Sequence, residues 1–516
     1  MKFLRFFLPI FLSIPLTFLS CSKAEEEEPE PPKPDFITLL DGETLTANAD
    51  GGEVLLRFTT NKDWLIEIPN TSEHFYGVLE TRTGEAGEVK IPYTTLPNTT
   101  GKERSTTLRI TAGRAKAEVK VVQEAVTVDL PSEAEVREYL VKLFNDTDGP
   151  NWRFKGKWCS DLPINQWGSE VKYENGKLSL ILGEHDMKGD IDLSGCKALV
   201  SIRCSKNQIR RLNVSNCPLL QEVECINTGL EELDVTGCLS LTKLYASYNS
   251  LQHLDIGWCK TLNNIDVREC RLESLDLSEC VSLQTLNCAI NRIRHLEVPH
   301  RYRLIDCFCY ENEIAGNLDL SNSPQLQIVN CGENEITSLN VTDCPRLEWI
   351  YCYSNRITSL DEAIAGKEKV LTQIYCFSNK IEKLDVSGFY KLDALHCSDN
   401  GMISLKFAGC KSLRWLYCSY NQLETLEFTG LDLEIFERLD CSYNRLREAD
   451  IASLPKLLRL WCQGNRIGGE IPEHFDRLLE FEYDARYEYR PQTGTYTDRG
   501  YGWWYPGEPD KMSHSR

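Results

Sequence analysis

The chain has 22 cysteines among 516 residues, and most of them keep a fixed step. Cys204, Cys225, Cys288, Cys309, Cys331, Cys352, Cys376, Cys397, Cys418, Cys441 and Cys462 form one column. Cys196, Cys217, Cys238, Cys259, Cys280, Cys344 and Cys410 form a second column, eight residues earlier. Thiols at this density can crosslink, ligate a metal or act as nucleophiles, and each chemistry demands its own geometry. A disulfide needs converging side chains with Cβ atoms about 3.8 Å apart. Stacked strands instead hold like residues about 4.8 Å apart with parallel side chains, and no cysteine in a column has a unique partner. Zinc needs CxxC or Cys/His spacing, which is absent. A nucleophile needs a base, yet the 8 histidines fall in no triad or HExxH frame. Ala246 and Val267 take the slot of the first column, so its requirement is small and apolar. Reduced, packed thiols are expected, with no metal, no cofactor and no enzymatic activity.

A repeat must position these columns. Asparagine recurs at Asn207, Asn249, Asn291, Asn312, Asn334, Asn355, Asn379, Asn400, Asn421, Asn444 and Asn465, with Thr228 and Cys270 filling the gaps. The step is mostly 21 residues, stretching to 22, 23 or 24. A fixed period of this size predicts a solenoid, each coil resting on its neighbours. In each coil an inward pair such as Leu416 and Cys418 marks a short strand, and the asparagine turns the chain out of it. The amide must bond backbone groups of neighbouring coils, since a buried polar ladder is tolerable only when satisfied. A later pair, as at Leu275 and Leu277, fills the core from the return side. About six buried side chains at ~1.5–3 kcal/mol each cannot offset ordering ~21 residues at ~1–2 kcal/mol apiece. One coil alone should be unfolded, and only the stack stable.

The pattern LxxLxCxxNxLxxLDLSxC, held over this whole register, resembles a short bacterial leucine-rich repeat. The resemblance runs over residues 182–471, with Leu182 to Cys196 as a degenerate first copy. It implies a parallel β ladder with a concave binding face. Before it, over residues 127–181, Ser132 and Glu135 form a capping box for a helix, and Val136, Tyr139, Leu140, Leu143 and Phe144 recur on one helical face. The stretch GPNWRFKGKW…INQW resembles the amino-terminal cap of such arrays, so Trp152, Trp158 and Trp167 are expected to cover the open end of the core. The aromatic segment 472–516, with Phe475, Phe481, Tyr483, Trp503 and Trp504, is expected to cover the other end.

Residues 35–126 read as short alternating strands separated by turns such as Asp50-Gly51-Gly52 and Asn61-Lys62-Asp63, the pattern of an antiparallel β-sandwich. Gly51, Gly52, Asn61, Trp64, Gly84, Arg104, Ile110 and Gln123 stand in an order that resembles a BACON domain. That resemblance implies an immunoglobulin-like fold, with carbohydrate binding or spacing as its role. Trp64 is read as the core tryptophan of the sandwich, with a sugar platform as the alternative.

Residues 1–20 carry Lys2 and Arg5 and then the apolar run Phe6 to Leu19, a secretory signal too short and too interrupted by proline to span a bilayer. Leu19-Ser20-Cys21 resembles a bacterial lipoprotein processing site, although Phe18 stands where that family carries a smaller aliphatic residue. The resemblance implies lipidation at Cys21. Residues 21–34, with Glu25 to Glu28 and several prolines, form an extended acidic tether that resembles the surface-export signal of Bacteroidetes lipoproteins. The expectation is an exported outer-membrane lipoprotein exposed at the cell surface.

A net charge of −20 argues against nucleic acid or anionic lipid headgroups as partners. Side chains flanking the inward pair face outward. Phe308, Tyr310, Trp349, Tyr351, Tyr353, Tyr375, Phe377, Trp415, Tyr417, Tyr420, Tyr443 and Trp461 gather there in the middle and late coils, with His396 among them. Glu333, Asp399 and Asp440 lie between them, placed to accept hydrogen bonds. Exposed aromatic rows require a cover, as hot spots for a protein or as stacking platforms for sugars; mutual stacking along the ladder is the structural alternative. Asp234, Asp255, Asp276, Glu297, Asp319, Asp385, Glu427 and Asp450 form a second outward column, interrupted by Lys406, read as a solvated acidic row. A calcium ladder there lacks the glycine-rich loops such sites use. The expected role is non-enzymatic recognition of an extracellular protein by a monomer, with a glycan or mucin as the alternative ligand.

Overall fold

The computed structural model describes residues 34–68, 77–79, 81–98, 102–126, 128–299, 301–449 and 454–467, and the backbone of three further strands, Gly469–Glu470, Glu480–Glu482 and Tyr487–Glu488. The signal segment, Cys21 and the tether lie outside the described residues, as do Asp450 and most of the carboxyl-terminal aromatic segment.

Alternation of apolar and polar residues builds two sheets at the amino-terminal end. One orders Ile37–Leu39, Gly52–Thr60, Gly87–Thr95 and Gly77–Leu79; the other orders Thr44–Ala47, Ala115–Gln123, Arg104–Ala112, Trp64–Glu67 and Thr83–Gly84. Leu56, Phe58, Ile91, Ile66, Leu108, Ile110, Val119 and Val121 close one core between them. Trp64 belongs to that core. Its indole meets Phe58 edge-on at 5.5 Å, and a Cβ at Gly84 would sit 2.5 Å from the indole. Glycine is needed there to admit the ring.

Helix α1 (Glu133–Asp146) starts at Ser132, whose hydroxyl accepts from Glu135 N while Glu135 caps the Ser132 backbone in return. Val136, Leu140 and Leu143 turn inward. Trp152, Trp158 and Trp167 pack at the same end of the core, with Trp152 and Trp158 4.9 Å apart and edge to face. Strand Val171–Glu174 runs antiparallel to Lys177–Ile181 and terminates the long sheet.

From Lys177–Ile181 onward the sheet is parallel, and with its antiparallel end strand it counts 16 strands, the last at Glu480–Glu482. After a register shift between Leu178 and Ser179 in the first parallel pair, each coil adds one short strand in register, as Trp349↔Gln373↔Ala394↔Trp415↔Arg438 illustrates. Separate two- and three-stranded parallel sheets line the return side. One coil carries an extra helical turn, α2 (Asp361–Ile364), which explains the 24-residue step from Asn355 to Asn379.

The asparagine ladder carries the turns. Asn421 Nδ2 donates to Cys397 O of the preceding coil at 3.0 Å, and to Cys418 O and Ser419 O of its own. Its Oδ1 accepts from Asn400 N at 3.1 Å and Met402 N at 2.8 Å. The residue before each ladder position adopts the left-handed region, as at Tyr248, Ile290, Asp399, Tyr420 and Tyr443. Substitutes in the ladder keep a donor: Thr228 Oγ1 donates to Cys225 O, and Cys270 Sγ to Ala246 O.

The two cysteine columns differ in role. The first is buried and apolar, shared with Ala246 and Val267. In the second, thiols reach back one coil to a carbonyl: Cys217 to Leu193, Cys238 to Val214, Cys280 to Ile256, Cys344 to Leu320 and Cys410 to Val386, at 3.0–3.4 Å. This second column is a weak-donor ladder parallel to the asparagines, a role that packing considerations alone did not anticipate.

Candidate functional site

The outward rows of the long sheet bring the aromatic residues together. Tyr351, Tyr375, His396, Tyr417, Asp440 and Trp461 occupy one row, each beside the next. Phe308 lies earlier in that row, separated from Tyr351 by Asn330. Trp349 and Trp415 share the row two residues before it, while Tyr310, Tyr353 and Phe377 follow the strand ends.

Strand spacing of ~4.8 Å suits ring-on-ring contact, and the middle of the row uses it. Trp349 and Tyr351 stack at 6.0 Å, Tyr351 and Tyr375 at 4.7 Å, and Tyr353 and Phe377 at 4.8 Å with planes 6° apart. His396 joins the cluster, 4.3 Å from Phe377 and 5.2 Å from Tyr417. Burial drives its pKa down to about 3, so the imidazole is neutral. Gly332 leaves space for Tyr353: a Cβ there would fall 2.5 Å from the ring. The expectation of an exposed aromatic strip therefore needs correction in this middle portion. Tyr351 and Phe377 are buried, and Phe308, Tyr310, Trp349, Tyr353, Tyr375, Trp415, Tyr417 and Trp461 are half-buried. Among the twelve candidate residues only Tyr420 and Tyr443 are exposed, at 48% and 40%.

Those two stack on each other at 4.5 Å with planes 15° apart. Both sit at the left-handed turn position, with φ of 53° and 51°, which lifts them beyond the strand. Beside them, the guanidinium groups of Arg414 and Arg438 lie 5.0 and 4.8 Å from the Trp415 ring. Asp393 holds Arg414 through two hydrogen bonds, and Trp415 Nε1 donates to Glu437 at 3.3 Å. Of the interspersed carboxylates, Asp399 accepts from Ser378 Oγ at 3.0 Å, and Asp440 accepts from Ser442 N and Oγ. Burial raises the Asp440 pKa. Glu333 is exposed.

The acidic column of the return side faces solvent as expected, with Asp234, Asp255, Asp276, Glu297, Asp385 and Glu427 exposed, and it also does local work. Asp234, Asp276, Asp319 and Asp385 each accept from the backbone N–H two residues on, an Asx turn that ends the return strand. The recurring aspartate-x-serine/threonine was the available signal. Among the described residues no cluster of His, Cys, Asp or Glu has the geometry to hold a metal.

His185 fills the asparagine slot one coil before Asn207, buried at 4%. Its backbone N–H donates to Asn207 Oδ1, and its Nδ1 lies 2.7 Å from Gly183 O. A search for asparagine could not reveal it. An open depression of about 320 Å³ beside α2 is lined by Asp361, Glu368, Asp385, Ser387 and Phe389. It offers no histidine or cysteine beside Ser387.

Residues 59–124 match the BACON family, described as a putative binding domain, N-terminal. No curated protein matches the chain. Among solved structures, the functional domain of InlJ from Listeria monocytogenes, which includes a cysteine ladder, is similar at 25% identity and TM-score 0.46, over 56% of this chain and 68% of that one. The LRIM1/APL1C complex is similar at 17% identity and TM-score 0.45, over 58% of this chain and 57% of that one. The leucine-rich repeat domain of APL1B shows 18% identity and TM-score 0.40, over 56% and 83%. The chain thus combines a BACON domain, whose family is described as a putative binding domain, with a parallel β-solenoid built on leucine-rich repeats.

Proposed function

We propose that this is a non-enzymatic recognition protein that engages an extracellular protein through the sheet face of its late coils. The observation that carries the reading is the grouping of Trp415, Arg414, Arg438, Tyr420 and Tyr443 on one stretch of that face. Trp, Tyr and Arg are the residue types that dominate protein-binding hot spots. The largely half-buried stack from Trp349 to Tyr417 then acts as a stiff floor, and the exposed tyrosine pair as the contact.

The flat, exposed Tyr443–Tyr420 pair also favours a second reading, capture of a glycan by ring stacking. Protein and glycan arrays probed with the same chain separate the two: protein capture without glycan capture supports the first reading, and the reverse supports the second. In the BACON domain, the two sheets around Trp64 support an immunoglobulin-like arrangement, and the burial of Trp64 disfavours it as a sugar platform. The signal segment and Cys21 support a lipid-anchored, surface-exposed location. Mass spectrometry of the mature amino terminus tests that location: an acylated Cys21 supports it, and a free amino terminus elsewhere contradicts it.

A further inference from the structure

The repeat supplies its own control for exposure. Elsewhere along the array the residue after the second-column cysteine is exposed or half-buried: Lys197, Pro345 and Lys411 are exposed, and Pro218, Leu239 and Lys260 are half-buried. Val281 occupies this position in the coil of Cys280, and it is buried at 3%. What covers it is Leu96 of the BACON domain, itself 4% exposed, the two forming an apolar cluster of their own. One coil further on, the Arg82 guanidinium lies 4.4 Å over the Tyr302 ring.

Both sides of this contact are specialised. Leu96 follows strand Gly87–Thr95, and its carbonyl accepts from Gln123 Nε2 at 2.9 Å and Arg104 Nη2 at 2.7 Å. Asn98 is fully buried and ties the same loop to Gln123 O and Glu124 O. Three segments are thus locked into one pole that presents the leucine. On the array, the sequence from Pro299 to Arg303 departs from the repeat. Arg301 replaces the second-column cysteine and bonds Ser321 O and Val298 O, which leaves Tyr302 beside it on the flank. The connecting segment is anchored at both ends: Val126 N donates to Asn98 O at 2.7 Å, and Leu130 rests on Gly176.

We propose that the Leu96 pole is a docking surface for this chain's own solenoid, received by the flank at Val281 and Tyr302, so that the BACON domain and the array move as one body. The chain enters the domain at the opposite pole, where Asp35 accepts from Arg114 N and Phe36 N donates to Asn61. The amino-terminal lead-in and the solenoid therefore attach at opposite ends of a rigid strut. A short connection keeps the effective concentration of the two surfaces high, so a small contact suffices.

The decisive variant is Val281→Lys, because lysine already occupies this position in three other coils and the coil should fold unchanged. Leu96→Asp tests the other side. The full chain and both variants are compared by small-angle X-ray scattering and by proteolysis of the segment around residues 124–131. Docking predicts that the wild type scatters as a single rigid shape. Val281→Lys should enlarge its radius of gyration and speed cleavage roughly tenfold, with the melting transitions kept. Combining both substitutions, which pairs opposite charges, should recover part of the compact form. Wild-type scattering that requires many orientations, or a folded Val281→Lys chain indistinguishable from wild type, overturns the proposal.

Discussion

Asn421 bridges two coils: its Nδ2 lies 3.0 Å from Cys397 O, one full turn earlier, while its Oδ1 accepts from Met402 N at 2.8 Å. One side chain thus satisfies backbone groups that the turn would otherwise bury unpaired. Leaving such a group unsatisfied costs about 1–3 kcal/mol. Asn421→Ala should lower stability by roughly 2–4 kcal/mol in urea unfolding, and it should speed amide exchange at Asn400 and Met402. Asn421→Asp keeps the acceptor but loses the donors, and it should be at least as damaging.

The cysteine columns should respond oppositely to serine. Cys418 lies in the apolar column, where a hydroxyl gains no partner, so Cys418→Ser should cost about 1–3 kcal/mol. Cys418→Ala should cost less, since Ala246 fills the same slot. Cys410 donates to Val386 O at 3.1 Å, and a hydroxyl can do the same. Ser323 already stands in that column, and its buried hydroxyl finds an acceptor there, Leu320 O of its own coil at 2.8 Å. Cys410→Ser should therefore cost less than Cys418→Ser in the same denaturation assay. Equal costs would contradict the assignment of a donor ladder.

Alkali should unfold the array. Burial pushes Cys204, Cys238, Cys280, Cys376 and Cys410 from 9.0 up to about 12. These thiols are held neutral in the fold, so their stabilising contribution is complete below the unfolded thiol pKa and is lost as pH rises toward 12. Between pH 9 and 11 the melting temperature should fall steeply. Reaction with a thiol reagent at pH 8 should be confined, among the described residues, to exposed Cys159 until denaturant is added.

Acid acts through His396. Its folded pKa of about 3 lies below the ordinary 6.5 because burial disfavours the cation. Its contribution is complete above pH 6.5 and declines as pH falls toward 3. His396→Phe keeps a ring against Phe377 and Tyr417, and it should flatten the loss of melting temperature between pH 7 and pH 4. An unchanged slope would show that His396 is solvated instead.

The beat of asparagines made the solenoid legible because one side-chain chemistry serves every turn. The ladder was harder to read where another residue performs the task, as His185 does at the first coil. The aromatic rows were legible in position but not in exposure. Sequence spacing places Tyr351 beside Tyr375, but whether the two rings close on each other depends on strand separation, and at 4.7 Å they do. Tyr420 and Tyr443 escape because they sit on left-handed turns outside the strand. The docking of Leu96 on Val281 joins residues far apart in the chain and follows from no local pattern.

The stacked floor and the exposed pair are separable by mutation. Tyr351→Ala removes two ring contacts, each worth about 0.5–1.5 kcal/mol beyond its buried area, and should appear chiefly as lost stability. Tyr420→Ala with Tyr443→Ala should leave melting nearly unchanged. The direct measurement is binding of this double variant, side by side with wild type, on an array of extracellular proteins and a matched glycan array. The account predicts that wild type captures protein targets and that the folded double variant loses them at least tenfold in affinity, about 1.4 kcal/mol. Undiminished capture by the folded double variant would contradict it.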